Sequence, residues 1–492
     1  MLKSPHFGVI FESLQSDSSR HIALATLYNI SLDYEPAQQA LREKEIFLEL
    51  VKTLDTCSHD AMIVHHLSSL LSFASQDWDV SQSPNTVLKV LIQFSDSGNF
   101  AIDDLLPIIS ILMTHLKQER FQRLLFSATL FEAFLLLVLR LFGYKMASTS
   151  LPPAFPWNPP PEDECEDFEP LQTSAIASLR DLSSLAAFFQ QYPLESATTK
   201  TWLSWLNSDN PDLQVISCCL LSNLAREKEQ WAVQMITLYG AHIRLGELSE
   251  GTDDRVPLAA LELLLQLARF PQNRGRICTH DFLGHISRTW SINSHGSGRL
   301  IRIQYASIAV LLGLVRDCPQ AILPLVEHST AMTTEKAPQT NGSHLQQLIT
   351  CFEQSSNPKV QTEIAKVVMA ISKALTTFTT SDDLDADKMW RDCLSVRPGF
   401  VTPITAIISQ TDDPALQAQA YFTLVIVARH EMGIAMVRDV VQQPAVRHML
   451  LAAQFQTVET AQDGQGEAII QRSLRDNARC LVNRFPDMGL EE

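Results

Sequence analysis

Glycine is scarce in this chain, at 17 of 492 residues, while 46% of the residues are hydrophobic. That balance argues for folded, helix-rich structure over most of the length. Positive charge is also short: 38 Lys and Arg stand against 55 Asp and Glu, a formal net charge of −17. Nucleic acid and anionic membrane need clustered cations, so neither is expected as the main partner. The nine Cys are scattered and include no CxxC pair. There is no disulfide framework to read, which fits a reducing compartment. The adjacent Cys218 and Cys219 lie in an apolar helical pattern and read as small core residues. Met1 to Ile10 lacks a basic stretch followed by a long apolar run, so no signal peptide is expected. Leu124 to Phe142 is strongly apolar but is interrupted by Glu132 and Arg140. It reads as a buried helix, and the protein as not integral to a membrane.

Catalytic signatures are missing as well. No GxxxxGK[ST], HExxH or GxSxG occurs. Gly296-Ser297-Gly298 lacks the further glycine and preceding strand of a nucleotide loop. His65 and His66 are adjacent on one helix and cannot converge on a single metal ion. The expectation is a non-enzyme with no catalytic residue, no cofactor and no metal.

What the chain does have is a repeated tag. Asn210-Pro211-Asp212-Leu213-Gln214, Asn357-Pro358-Lys359-Val360-Gln361 and Asp413-Pro414-Ala415-Leu416-Gln417 each open a long apolar-periodic segment. Asn or Asp caps a helix N-terminus by accepting a free backbone N–H. Pro at the next position gives up an N–H that had no partner and pre-sets the helical φ. Leu213, Ile216, Leu220 and Leu224 then follow the stripe of an amphipathic helix.

The segments also close alike. Leu221-Ser222-Asn223-Leu224-Ala225-Arg226 is matched by Leu264 to Arg269, Leu311 to Arg316, Val368 to Lys373 and Leu424 to Arg429, and more loosely by Leu27 to Ser31 and Leu70 to Ala74. The equivalent positions are 29, 72, 223, 266, 313, 370 and 426. The shortest steps are 43 residues, from 29 to 72 and from 223 to 266. Helical repeats of about 40–47 residues are the armadillo and HEAT class. Later steps are longer because polar insertions, Ser329 to Ser343 and Thr376 to Asp387, enter loops. Lys228 to Tyr239, a break at Gly240 and Ala241 to Leu248 supply two shorter helices, so the unit has three. The fold expected is all-α, an armadillo/HEAT-like right-handed helical solenoid.

One segment departs from the pattern. Ser148 to Pro170 holds seven Pro and the acidic residues Glu162, Asp163, Glu164, Glu166, Asp167 and Glu169. Pro removes donors and like charges repel, so an extended or disordered loop is expected. It divides the chain into an N-terminal helical block (1–147), the loop (148–170) and a C-terminal repeat block (171–492). The helical material from Asn85 to Phe142 shows only weak repeat register.

The repeated helix ends are the candidate site. Arg226, Arg269, Arg316, Lys373 and Arg429 each fall three residues past the equivalent position. They read either as a row of groove cations facing an acidic partner, or as cations placed against the last carbonyls of a helix, worth about 0.3–1 kcal/mol each. Asn29, Asn223 and Gln266 present amides at equivalent positions. Those amides either hydrogen-bond a partner's backbone or tie neighbouring turns of the solenoid. Ser72, Gly313, Ala370 and Ile426 break the amide row, which argues against a regular Asn-ladder peptide reader.

Ile22 to Gln38, Asn210 to Leu248 and Ala420 to Val437, the last with Ala428-Arg429-His430-Glu431-Met432-Gly433, resemble repeats of the small-GTPase GDP-dissociation-stimulator (smgGDS) family. That resemblance implies a cytoplasmic solenoid that binds Ras- and Rho-type GTPases with basic tails, including prenylated forms, and promotes GDP release; a monomer is expected. An acidic chain complements basic tails. The alternative expectation is a generic armadillo adaptor that binds extended segments of other proteins and leaves nucleotide exchange untouched.

Overall fold

The computed structural model describes residues 5–16, 18–42, 44–56, 61–76, 78–96, 102–127, 129–142, 165–290, 298–327, 342–377, 385–396, 399–455 and 465–486. Among these, every regular element is helical. Contacts divide the chain into two units, Met1–Leu224 and Ala225–Glu492.

Unit 1 opens with α1 (Pro5–Leu14) and α2 (Arg20–Leu32), followed by α3 (Glu35–Leu41), α4 (Lys44–Thr56) and α5 (Ala61–Ser75). A 3-10 turn at Val80–Gln82, then α6 (Asn85–Asp96) and α7 (Ile102–Leu116), make the next triplet. It continues with α8 (Glu119–Ser127), α9 (Phe131–Leu141) and α10 (Cys165–Ser183), then α11 (Ala186–Gln191), α12 (Ala197–Trp205) and α13 (Pro211–Glu227). The third helix of each triplet packs on the next: α2 on α5, α5 on α7, α7 on α10. The second helices stack likewise, α4 on α6 and α6 on α9. This is the three-helix solenoid the repeat spacing predicts.

Unit 2 repeats the plan. Its first helices are α14 (Glu229–Thr237), α17 (Pro271–Ile277), α20 (Leu323–Val326), α23 (Ala386–Leu394) and α26 (Glu431–Gln442). Its second helices are α15 (Ala241–Leu248), α18 (His280–Trp290), α21 (His344–Gln354), α24 (Thr402–Gln410) and α27 (Pro444–Phe455). Its third helices are α16 (Arg255–Ala268), α19 (Gly298–Val315), α22 (Pro358–Thr376), α25 (Pro414–Val427) and α28 (Gln465–Arg484), each stacked on the one before. Gly240, between α14 and α15, has φ +60, the left-handed conformation that glycine adopts without strain.

The tags start α13, α22 and α25 as their chemistry dictates. Asn210 Oδ1 accepts from the N–H of Asp212 (2.8 Å) and of Leu213 (3.3 Å). Asn357 Oδ1 serves Lys359 and Val360, and Asp413 Oδ1 serves Ala415 and Leu416. The glutamine of each tag has a reason too. Gln361 and Gln417 donate to the carbonyls of Ser355 (2.8 Å) and Thr411 (2.7 Å), six residues back, and Gln214 does the same to Ser208. The hydroxyls of Ser208, Ser355 and Thr411 in turn accept from the N–H of residues 210, 357 and 413. The full device is therefore [Ser/Thr]-x-[Asn/Asp]-Pro-x-[Leu/Val]-Gln. It satisfies the turn into the third helix from both sides.

Each third helix buries its apolar stripe. Leu261, Leu263, Leu264 and Leu267 of α16 are wholly buried, as are Val360, Ile364, Val367 and Val368 of α22. Burial of a Leu or Val side chain contributes roughly 1.5–3 kcal/mol. Unit 1 uses aromatic packing as well. Phe188 stacks on Trp202 with centroids 5.5 Å apart, and Phe131 and Tyr192 close around them.

Two expectations need correction or placing. Cys165 to Pro170 belong to the opening turns of α10, so that end of the expected loop is helical. Acidic sequence favours a helix N-terminus, and a proline this near the start costs one hydrogen bond without ending the helix. Residues 143–164, with Glu162, Asp163 and Glu164, lie outside the described residues, as do 328–341 and 378–384 of the polar insertions. The apolar stretch Leu124 to Phe142 is not one helix: α8 and α9 meet at 110°. By length and composition α19 could cross a membrane, but it lies packed between α16 and α22.

Candidate functional site

The exposed stripes of the third helices are where the predicted residues fall. In unit 1, Asn29 is exposed near the end of α2. Tyr28 beside it leans on two histidines of α5, its ring centroid 4.9 Å from His66 and 5.7 Å from His65. His21 stands 6.3 Å from His66, and His65 Nδ1 pairs with Asp104 Oδ1 of α7 at 2.8 Å. Burial, then the neighbouring His65 and His21, pull the His66 pKa below the ordinary imidazole value. α2 and α5 thus share a histidine and tyrosine surface, which Asp104 of α7 joins.

Asn223 is tied internally. Its Nδ2 donates to the Arg180 carbonyl (3.1 Å) and to Ser183 Oγ (2.7 Å) at the end of α10. This is the solenoid-tying role, one of the two readings open for the amide row. Gln266 accepts from Arg269 Nη1 at 3.0 Å, one turn along the same helix end. Ile426, at the equivalent position of α25, is buried, and Gly313 sits where an added Cβ would come within 3.3 Å of the Ala268 Cβ. The amide row is therefore replaced by close helix packing in the middle of unit 2.

Arg226, Arg269, Arg316, Lys373 and Arg429 are all exposed. At the ends of α16, α19 and α25 the carbonyls are served by other cations. Arg274, on α17 and 9% exposed, donates through Nε to the Ala268 carbonyl (3.0 Å) and through Nη2 to the Arg269 carbonyl (3.1 Å). Its Nη1 donates to the Arg316 carbonyl at the end of α19. Arg484 of α28 likewise donates to the Ala428 carbonyl at the end of α25 (3.3 Å). The guanidinium's fixed fork suits a group of converging carbonyls. Beside Arg274, the buried Asn273 donates to the Leu267 carbonyl (3.0 Å) and to the Ala232 carbonyl (3.2 Å), joining α14, α16 and α17.

Lys373 Nζ pairs with Asp317 Oδ1 (3.1 Å), which lies just past α19. Farther up the same helices, the Tyr305 hydroxyl donates to Glu363 Oε1 (3.1 Å), and Lys366 Nζ lies 3.2 Å from Glu363 Oε2. Burial, followed by the charge and hydrogen bond of Glu363, raises the Tyr305 pKa. Glu169 is exposed at the start of α10. Among the described residues no group of three or more His, Cys, Asp or Glu could hold a metal ion.

Sequence reasoning missed Arg274, Tyr305, Glu363 and the last third helix. A signal for α28 was present: Arg484 follows Arg429 by a repeat-like interval, behind Leu474, Ala478, Leu481 and Val482. Arg274 carried no such mark, since its partners are backbone atoms of two other helices.

No family model matches the chain, and no curated protein matches it in sequence. Solved structures do resemble it. SYS-1 aligns with a TM-score of 0.57 at 13% identity, covering 98% of this chain and 81% of SYS-1. SYS-1 in complex with POP-1 gives 0.59 at 13% identity, with the same coverages. A structure reported for the interaction between cadherin and β-catenin gives 0.55 at 14% identity, covering 98% of this chain and 87% of the other. These are armadillo-repeat structures, and the likeness is one of fold.

Proposed function

We propose that this chain is a non-catalytic scaffold that docks an extended segment of a partner protein along the third helices of unit 2. The observation that carries the reading is the unbroken stacking of α16, α19, α22, α25 and α28, each adding one exposed stripe to a common row. Such a row offers the same side-chain positions at regular intervals, which suits a chain laid across it. Structures of this fold include a two-protein complex, SYS-1 with POP-1, which supports a protein partner. Among the described residues, the thiols of Cys278, Cys318, Cys351, Cys393 and Cys480 are free, which supports a reducing, cytoplasmic setting. The test is photo-crosslinking in cells with the probe at Ala309, Ala370 or Gln419 on third helices and at Arg288 or Ser409 on second helices. Adducts of one partner from the first set alone are expected. Equal adducts from the second set would reject the reading.

A small-GTPase partner whose GDP release is promoted is the finer reading. It draws support from the smgGDS resemblance and from the net charge of −17, which complements a basic tail. Binding and accelerated release of a fluorescent GDP analogue from Ras- or Rho-type GTPases would be its signature. A panel showing neither would remove it and leave the scaffold reading in place.

A further inference from the structure

We infer that the ends of α16, α19 and α22 form a docking strip for an extended acidic peptide, carried by Arg269, Arg316 and Lys373. The inference rests on the reading of the third-helix row as the partner-binding face, and adds the partner's charge and its spacing.

The first support is that capping does not occupy these cations. Arg274 takes the carbonyls at the ends of α16 and α19, so the side chains of Arg269 and Arg316 remain exposed at those ends. The second is adjacency. One guanidinium reaches the carbonyls of both residue 269 and residue 316, so the two arginines leave the surface from neighbouring points. Lys373 reaches Asp317, the residue after Arg316. The third is local charge. Helix α19 contains Arg299 and Arg302 and no acidic residue, α22 contains three Lys and the single Glu363, which is buried and already engaged by Tyr305 and Lys366, and α16 is balanced, with Arg255 and Glu262. In a chain of net charge −17 this is a local inversion of sign.

Spacing distinguishes the ligand. Packed helices lie about 8–10 Å apart, and an extended peptide advances about 3.3 Å per residue. One cation is therefore met every three residues or so, and the matching guest carries Asp or Glu at every third position. A nucleic-acid strand instead carries a phosphate on every nucleotide, about one per 3.4 Å of helix axis in a duplex, so its charges do not match a strip with one cation per helix. Asp317 acts as an internal competitor, since its carboxylate holds Lys373 at a position where both groups are exposed, 52% and 60% respectively. It has φ +50, a conformation that Asn adopts as readily as Asp.

The test is fluorescence anisotropy on the full chain. The probes are a labelled peptide with Glu at every third residue, one of the same composition with its Glu clustered, and oligouridylate. Saturable binding of the first probe, screened by added salt, is expected. The R316E/K373E double variant should weaken it about tenfold or more, and R316Q/K373Q by less, because reversal adds repulsion to lost attraction. The variant D317N should tighten it by a small factor, roughly two- to threefold, the scale of an exposed pair. All three positions are at the surface, and an unchanged thermal melt verifies the fold. Equal binding of the clustered peptide, tighter binding of oligouridylate, or indifference to R316E/K373E would overturn the inference. If cross-links still fell on the third helices, the scaffold reading would survive that result. Cross-links confined to second helices would end both.

Discussion

The third helices of unit 1 present Tyr28, His65 and His66, whereas those of unit 2 present Arg302, Tyr305, Lys366 and Lys373. The means of joining repeats differ in the same direction. Unit 1 ties α13 to α10 with the neutral amide of Asn223, and unit 2 ties α16 to α19 with the buried guanidinium of Arg274. Even the buried histidines differ. His115 of unit 1 is satisfied by the Ile111 carbonyl (2.8 Å) and Ser83 Oγ (3.0 Å), while both ring nitrogens of His344 in unit 2 are buried without a partner. One repeat plan therefore tolerates different surface and junction chemistry, because the apolar stripe carries the fold and the remaining positions are left open.

The largest blow to this contrast is Arg274→Met. It strips the ends of α16 and α19 of their donor and should cost unit 2 about 3 kcal/mol, since one buried and two part-buried carbonyls are left unpaired. Hydrogen exchange should rise in α16, α17 and α19 while α2 to α7 stay protected. Uniform protection across both units would refute the junction role.

Acid comes next. Burial, then the nearby His280, pulls the His344 pKa down to about 4. The folded state holds this imidazole neutral, whereas the unfolded chain titrates it near 6.5. Its stabilising contribution is complete above about pH 6.5 and is lost as pH falls from there toward 4, approaching about 3 kcal/mol. Urea unfolding of His344→Leu should show a flatter acid limb than the parent. Identical limbs would show that the histidine does not carry the effect.

Asn223→Ala sharpens the comparison from the unit 1 side. Loss of two hydrogen bonds should cost roughly 1–2 kcal/mol, seen as faster exchange in α10 and not in α19. The smallest effect belongs to the shared cap. Asn357→Ala should destabilise α22 by about 1 kcal/mol, read as a shift of the urea midpoint. A null result there would mean that tertiary packing alone starts the helix.

Much of the architecture was legible before any coordinates. The equivalent positions 29, 72, 223, 266, 313, 370 and 426 all fall on third helices, because a buried stripe repeats wherever the same packing problem recurs. The register faded between Asn85 and Phe142 for a physical reason. In Leu112 to Lys117, at the end of α7, His115 stands where other third helices carry an apolar residue such as Leu224, Leu267 or Leu314, and it is nonetheless buried. A polar residue that finds two internal partners breaks the pattern without breaking the packing. The candidate site was half legible. The repeated cations were visible, but not that Arg274 and Arg484, outside that row, serve the helix-end carbonyls.

Local chemistry, written along the chain, was enough to set helix starts, apolar stripes and the repeat, since each depends on neighbours a few residues away. The release of Arg269 and Arg316 from capping, the tether from Asn223 to α10 and the pairing of Tyr305 with Glu363 were decided only when distant helices met. Those bonds span some 40 residues or more, and a hydrogen bond depends on positions in space that no sequence spacing encodes.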